Sequence, residues 1–113
     1  MSSKLEVEKR ELVPVKDIRA LVSSVFQKVG CDEDISEFVA EHLVESNLKG
    51  VESHGVMRMI QYVEQLENGY MNPSGRPSLN QNDNGAWIVN GHGGFGISAL
   101  QLGVEKAIAE AKE

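Results

Sequence analysis

Apolar side chains recur at helical spacing in three successive stretches of this chain, and each stretch ends at a glycine. Spacing of three and four residues places such side chains on one face of a helix, and a glycine just beyond favours its end. The three stripes are Ile18, Leu21, Val22, Val25, Phe26 and Val29; Ile35, Phe38, Val39 and Leu43; and Met59, Ile60, Val63 and Leu66. They end at Gly30, Gly50 and Gly69. The sequence therefore predicts a three-helix subdomain over residues 1–72, with the third helix spanning residues 56–68.

The character of the chain changes after Tyr70. A segment rich in proline and glycine (residues 72–77) precedes two short strands, residues 78–82 and 86–89, which flank the hairpin signal Asn84-Gly85. A final helix is expected to bury Ile97, Leu100, Val104, Ile108 and Ala111. Because a hairpin and one helix cannot enclose a core of their own, residues 73–113 are predicted to begin a larger α/β domain that is truncated here.

The charge balance excludes several classes of partner. The chain carries 17 acidic and 11 basic side chains, a net charge of -6, which argues against nucleic acid and anionic membranes. The single cysteine, Cys31, excludes an internal disulfide and is expected in a turn between helices rather than in catalysis. The N-terminus is charged and the apolar runs are too short to span a bilayer, so a cytoplasmic, soluble protein is predicted.

Ser53, His54 and Gly55 form the strongest candidate site. If the third helix begins near Gly55, His54 lies at its cap, with Arg58 and Tyr62 one and two turns further along one stripe. An imidazole, a guanidinium and a phenol in line can protonate a carbonyl oxygen and hold a neighbouring carboxylate. The alternatives are structural: a capping histidine, a solvated arginine and an aromatic residue at the edge of the core.

Two further features have competing interpretations. His42 falls within the stripe of the second helix and is expected to be a satisfied core histidine rather than a metal ligand; no metal site is predicted. The run from Gly91 to Gly96 satisfies G-x-G-x-x-G, the pattern of a dinucleotide-binding loop. Because the preceding strand comes from a hairpin rather than a parallel βαβ unit, a strand-to-helix turn packed tightly against a neighbour is favoured.

The run LKGVESHGVMR from Leu48 to Arg58 closely resembles the N-terminal region of the type-2 malate/L-lactate dehydrogenase family. The resemblance continues through Tyr62, Leu66, Gly69 and Pro73 to the turn NGHGGFG and the helix that follows it. This family consists of NAD(P)-dependent oxidoreductases of 2-oxo and 2-hydroxy acids, with a fold unrelated to the Rossmann enzymes. Its members are homodimers of longer chains.

The resemblance implies roles for individual residues. His54 would be the catalytic acid/base, Ser53 would orient it, and Arg58 and Tyr62 would lie against the substrate, Arg58 near its carboxylate. NAD or NADP would bind mostly outside this chain, so the 113 residues alone are expected to be inactive. The rival interpretation is a non-catalytic helical interaction module, although a packing helix has no need of the polar residues His54, Arg58 and Tyr62.

Overall fold

The computed structural model describes residues 11–112 and has mixed helical and β structure. Four α-helices are present among these residues: α1 (Val15–Lys28), α2 (Glu33–Leu48), α3 (Arg58–Glu67) and α4 (Gly96–Ala111). A 3-10 turn (Glu52–His54) lies between α2 and α3, and two strands, β1 (Ser78–Gln81) and β2 (Trp87–Asn90), precede α4. None of the described helices is long and apolar enough to cross a membrane.

Helices α1 and α2 pack against each other around the most deeply buried side chains. Val22 and Phe26 from α1 meet Val39 and Leu43 from α2, and each of the four is at most 1% exposed. Gly30 turns the chain between the helices with a φ of +104°, a backbone conformation that favours glycine. The three predicted helices and their glycine stops are confirmed.

Cys31 lies buried in the turn between α1 and α2, as the sequence predicts. Burial raises the pKa of its thiol, and the neighbouring carboxylate of Asp32 raises it further. A thiol with a raised pKa carries little thiolate at neutral pH, which is consistent with a packing role.

Helix α3 differs from its predicted form in two respects. It begins at Arg58 rather than at residue 56, because Val56 and Met57 form a turn that follows the extended Gly55. Ile60, expected to face the core, is 65% exposed. The inward face of α3 runs through Tyr62 and Leu66. Ile60 lies two residues before Tyr62 and is therefore on the opposite side of the helix.

The predicted β-hairpin is confirmed. Strand β1 pairs antiparallel with β2, with Leu79 opposite Val89, and each strand boundary lies within one residue of its predicted place. The side chain of Asn82 accepts hydrogen bonds from the backbone N–H groups of Asn84 and Ala86, both at 2.9 Å. Gly85 adopts the positive φ that the turn requires.

Phe95, just before α4, packs into the core that the three leading helices enclose. It is 3% exposed, and its ring meets Phe26 and Tyr62 edge to face at centroid distances of 5.4 and 5.3 Å. A second link is the forked contact of Arg76 with Asp34, whose carboxylate accepts hydrogen bonds from Nη1 and Nη2 at 3.0 and 2.6 Å. The proposed division after residue 72 therefore has an apolar and an ionic contact across it, and it stays a prediction.

The predicted burial of the final helix is not seen among the described residues. Leu100 is 66% exposed, Val104, Ile108 and Ala111 are also exposed, and Ile97 alone of the predicted set is half-buried. The physical reason is that α4 meets the hairpin through a different face. Gly103 approaches Val89 closely, and the ammonium of Lys106 lies 4.1 Å from the ring centre of Trp87.

We expect Phe95→Ala to lower the free energy of unfolding by about 3–5 kcal/mol, the usual cost of emptying a buried phenylalanine site. Leu100→Ala, a truncation in the exposed face of α4, is the matched control and should change it by no more than about 0.5 kcal/mol. Chemical denaturation of both variants measures the two values. Equal effects would show that Phe95 is not part of the core.

The contact of Asp34 with Arg76 should make part of the stability pH-dependent. Its hydrogen bonds from Arg76, more than any other cause, hold the pKa of Asp34 below its usual value. A lowered folded pKa gives stability that is complete above the unfolded pKa of about 3.9 and is lost as the pH falls through the folded pKa. We therefore expect the stability difference between the wild type and Arg76→Gln to shrink during acid titration.

Carboxyl titration by NMR checks the same contact directly. In Arg76→Gln the pKa of Asp34 should rise toward its usual value. The pKa of Glu45, which is lowered chiefly by its hydrogen bond with Lys49, should be unchanged and serves as the internal control. An unshifted Asp34 would contradict the assignment.

Candidate functional site

Ser53 and His54 lie side by side on the 3-10 turn between α2 and α3. Ser53 Oγ is 3.0 Å from His54 Nδ1, and both residues are exposed. The backbone N–H of His54 donates to the carbonyl oxygen of Val51 at 3.1 Å, which closes the turn. Because the hydroxyl engages Nδ1, Nε2 is the nitrogen through which the imidazole can exchange a proton with a small molecule.

Arg58 is the first residue of α3, and its side chain folds back onto this turn. Its Nε donates to the carbonyl oxygen of Ser53 at 2.8 Å, and its Nη1 donates to Gln61 Oε1 at 2.7 Å. These two bonds use two of the five N–H groups of a guanidinium and fix its plane. Arg58 can therefore anchor the histidine turn and present a fixed cation beside it.

The predicted helical line through His54, Arg58 and Tyr62 is only partly correct. Arg58 and Tyr62 are one turn apart within α3, but Gly55 is extended and separates His54 from the helix. The hydrogen bond from Arg58 to the backbone of Ser53 supplies the proximity that helical periodicity was expected to provide.

Tyr62 belongs to the edge of the core. Its half-buried ring contacts Phe26 at a centroid distance of 6.4 Å and Phe95 at 5.3 Å. The structural alternative for this ring is therefore correct. A role for its hydroxyl group in binding a substrate is compatible with that position and stays a prediction.

Asn47, in the last turn of α2, is a part of the site that the sequence analysis missed. Its side-chain oxygen accepts a hydrogen bond of 2.7 Å from the backbone N–H of Val56. Gly55 packs against the same carboxamide, and a Cβ atom there would lie 2.6 Å from Asn47 Cγ. Polar residues are common near helix ends, so the sequence alone gave no sign that Asn47 would contact the turn.

The run from Gly91 to Gly96 forms a tight turn against residues 72–75. Asn72 donates its backbone N–H to the carbonyl oxygen of Gly93 at 2.7 Å, and a Cβ atom on Gly75 would lie 2.7 Å from Gly94 N. His92 has a φ of +52°, and its Nε2 is 2.8 Å from Ser78 Oγ. Gly94 and Gly75 approach each other so closely that neither has room for a side chain, which agrees with the favoured interpretation of a strand-to-helix turn packed tightly against a neighbour.

His42 is exposed on α2, so the expectation of a core histidine is wrong. The buried face of α2 is centred on Ser36, Ala40 and Leu43, and a residue at position 42 falls beyond its edge. Within residues 11–112 no group of three or more His, Cys, Asp or Glu side chains is placed to hold a metal ion.

Comparison with known proteins gives a consistent result. The family model described as malate/L-lactate dehydrogenase matches residues 13–113. The chain is 31% identical over 100 residues to the Delta(1)-pyrroline-2-carboxylate/Delta(1)-piperideine-2-carboxylate reductase of Pseudomonas putida, covering 88% of this chain and 29% of that protein. It is also 31% identical over 99 residues to a malate dehydrogenase of Pyrococcus abyssi, covering 84% of this chain and 27% of that protein.

Solved structures agree. The malate dehydrogenase of Entamoeba histolytica superposes with a TM-score of 0.81 at 29% identity, covering 90% of this chain and 28% of that one. That of Pyrococcus horikoshii superposes with a TM-score of 0.80 at 30% identity, covering 88% and 29%. The chain thus spans less than a third of the length of these relatives. Because the family match extends over nearly every described residue, the chain belongs to the malate/L-lactate dehydrogenase family.

Proposed function

We propose that the polypeptide carrying this chain is an NAD- or NADP-dependent oxidoreductase that interconverts a small 2-oxo acid, of the malate or lactate type, with its 2-hydroxy acid. The observation that carries the proposal is the joined geometry of Ser53, His54 and Arg58. An exposed imidazole has one nitrogen engaged by a hydroxyl, and a guanidinium is anchored to the same turn. Membership of the dehydrogenase family supports that reading.

His54 is assigned the proton transfer. Reduction of a 2-oxo acid needs a hydride at the carbonyl carbon, which a nicotinamide supplies, and a proton at the carbonyl oxygen. His54 Nε2–H would give that proton, and neutral Nε2 would accept it when the hydroxy acid is oxidised. The contact of Ser53 Oγ with Nδ1 limits rotation of the ring and orients Nε2 toward the substrate.

Arg58 is assigned the role of binding the substrate carboxylate. Its guanidinium plane is fixed at two points, by Ser53 and Gln61, which lowers the entropy lost when an anion binds. A carboxylate held beside the histidine turn places the adjacent carbonyl group near the imidazole. Tyr62, one helical turn further along α3, would hydrogen-bond the substrate through its hydroxyl.

The nicotinamide cofactor is placed outside the described residues. The support for this is that the glycine run follows a strand of an antiparallel hairpin rather than of a parallel βαβ unit, and that residues 72–75 pack against it. The proposal also includes a homodimer, which the family resemblance implies, and a cytoplasmic location, because a chain with the single cysteine Cys31 fits a reducing compartment.

We expect His54→Ala to lower kcat by about 10²–10⁴-fold, the range for losing a positioned acid/base. His42→Ala removes an exposed histidine from α2 and is the matched control, with kcat expected to be unchanged. The assay follows oxidation of NADH and of NADPH with oxaloacetate, pyruvate and other small 2-oxo acids, in the polypeptide that carries this sequence. If neither cofactor were consumed with any acid, the interaction-module interpretation would replace this one.

Arg58→Lys should chiefly raise KM, with a smaller fall in kcat. An ammonium cannot reproduce a two-pronged grip on a carboxylate while also holding the Ser53 carbonyl oxygen. Steady-state kinetics with the acid that gives the highest activity measure both constants. Gln61→Ala removes one anchoring contact and keeps the guanidinium, so it should raise KM less. An unchanged KM in Arg58→Lys would mean that Arg58 serves the turn and does not bind the carboxylate.

A further inference from the structure

The histidine turn is tied to the end of α2 at two places. At its start, the backbone N–H of Val51 donates to the carbonyl oxygen of Ser46 at 2.8 Å. At its end, the backbone N–H of Val56 donates to Asn47 Oδ1 at 2.7 Å. Ser46 and Asn47, adjacent residues of α2, therefore hold both ends of the histidine turn.

The second tie lies just before α3 rather than in its first turn. Met57 occupies the cap position of α3 and forms no side-chain cap bond. The backbone N–H groups of Arg58 and Met59 donate instead to the carbonyl oxygens of Gly55 and Val56, both at 2.9 Å. Asn47 reaches across from α2 and binds the N–H of Val56, so it holds the end of the histidine turn rather than the helix.

Gly55 makes this contact sterically feasible. It is buried, and its φ of -98° is one that any residue can adopt, so the requirement for glycine here is spatial rather than conformational. A Cβ atom would lie 2.6 Å from Asn47 Cγ and closer still to Oδ1. A methyl group at position 55 would displace the carboxamide and break its bond to Val56.

We propose that Asn47 is a positioning residue for His54, acting through the backbone of the turn, and that Gly55 is required so that the Asn47 carboxamide can sit there. The catalytic part of this inference rests on the proposed function. The structural part, that Asn47 orders the turn, does not. Asn47 touches no reacting atom. It determines the position of Ser53 and His54 relative to Arg58.

Kinetics test the catalytic part in the polypeptide that carries this sequence. Because a misplacement of about 1 Å can cost about 10²-fold in rate, we expect Asn47→Ala, which loses one of several ties, to lower kcat about 10-fold and leave KM within about 2-fold. Asn47→Asp keeps the accepting oxygen and should restore most of the rate. Glu45→Ala removes an exposed pair with Lys49 in the same turn of α2 and is the control for a general loss of helix stability.

A double-mutant cycle tests the link to Gly55. Gly55→Ala alone should lower kcat about as much as Asn47→Ala, because both break one bond. The double variant should be no worse than either, since residues that act through the same contact give non-additive effects. Additive losses would overturn the role given to Gly55.

Amide hydrogen exchange on the 113-residue chain tests the structural part without any activity. In Asn47→Ala the N–H groups of Val56, Gly55 and His54 should lose protection together, by about 10-fold, since opening of the turn exposes them as a unit. Faster exchange at Val56 alone would overturn the proposal, because Asn47 would then hold one amide without ordering the turn. Unchanged kcat alongside exchange that rises at all three amides would also overturn it. Absence of dehydrogenase activity in the wild type would refute the proposed function, while the exchange result would still decide whether Asn47 orders the turn.

Discussion

The buried ring of Phe26 joins the helices of this fold to the segment that leads into α4. Its ring is fully buried and contacts Tyr62 on α3 and Phe95 at the entrance to α4. Three segments that are distant in the sequence thus share one aromatic cluster, in which tilted and edge-to-face contacts restrict the relative orientation of the rings. The cluster fixes the orientation of α3, and with it the side of the molecule on which Arg58 and the histidine turn lie.

The candidate site itself is built differently from the core. Ser53 and His54 are exposed, and backbone hydrogen bonds rather than apolar packing hold their turn. Arg58 donates a hydrogen bond to the main chain of this turn, and Asn47 accepts one from the backbone N–H of Val56. Both side chains therefore shape the site through the backbone. Such a site can stay open to a small polar molecule and yet have a defined geometry, because short closed hydrogen-bonded rings limit the backbone angles.

The sequence predicted the elements well wherever one local signal dominated. The glycines at positions 30, 50 and 69 ended three helices as expected, and Asn84-Gly85 marked the hairpin turn. Errors arose where a residue lay near the border of an apolar stripe. Ile60 and His42 are both exposed, because helical spacing shows which residues share a face and leaves open how much of that face a neighbouring element covers. Leu100 lies within its stripe and is exposed because α4 meets the hairpin through another face, at Gly103 and Lys106.

The amino-acid sequence was sufficient to predict the helical and hairpin elements, the family, and the candidate residues Ser53, His54, Arg58 and Tyr62. Those conclusions need only local propensity and motif spacing. The folded chain was needed to see that Gly55 breaks the expected helical line and that a hydrogen bond from Arg58 replaces it. It was also needed to see that the glycine turn packs against residues 72–75. Contacts of this kind join backbone groups from different segments, and a one-dimensional pattern carries no record of which segments will meet.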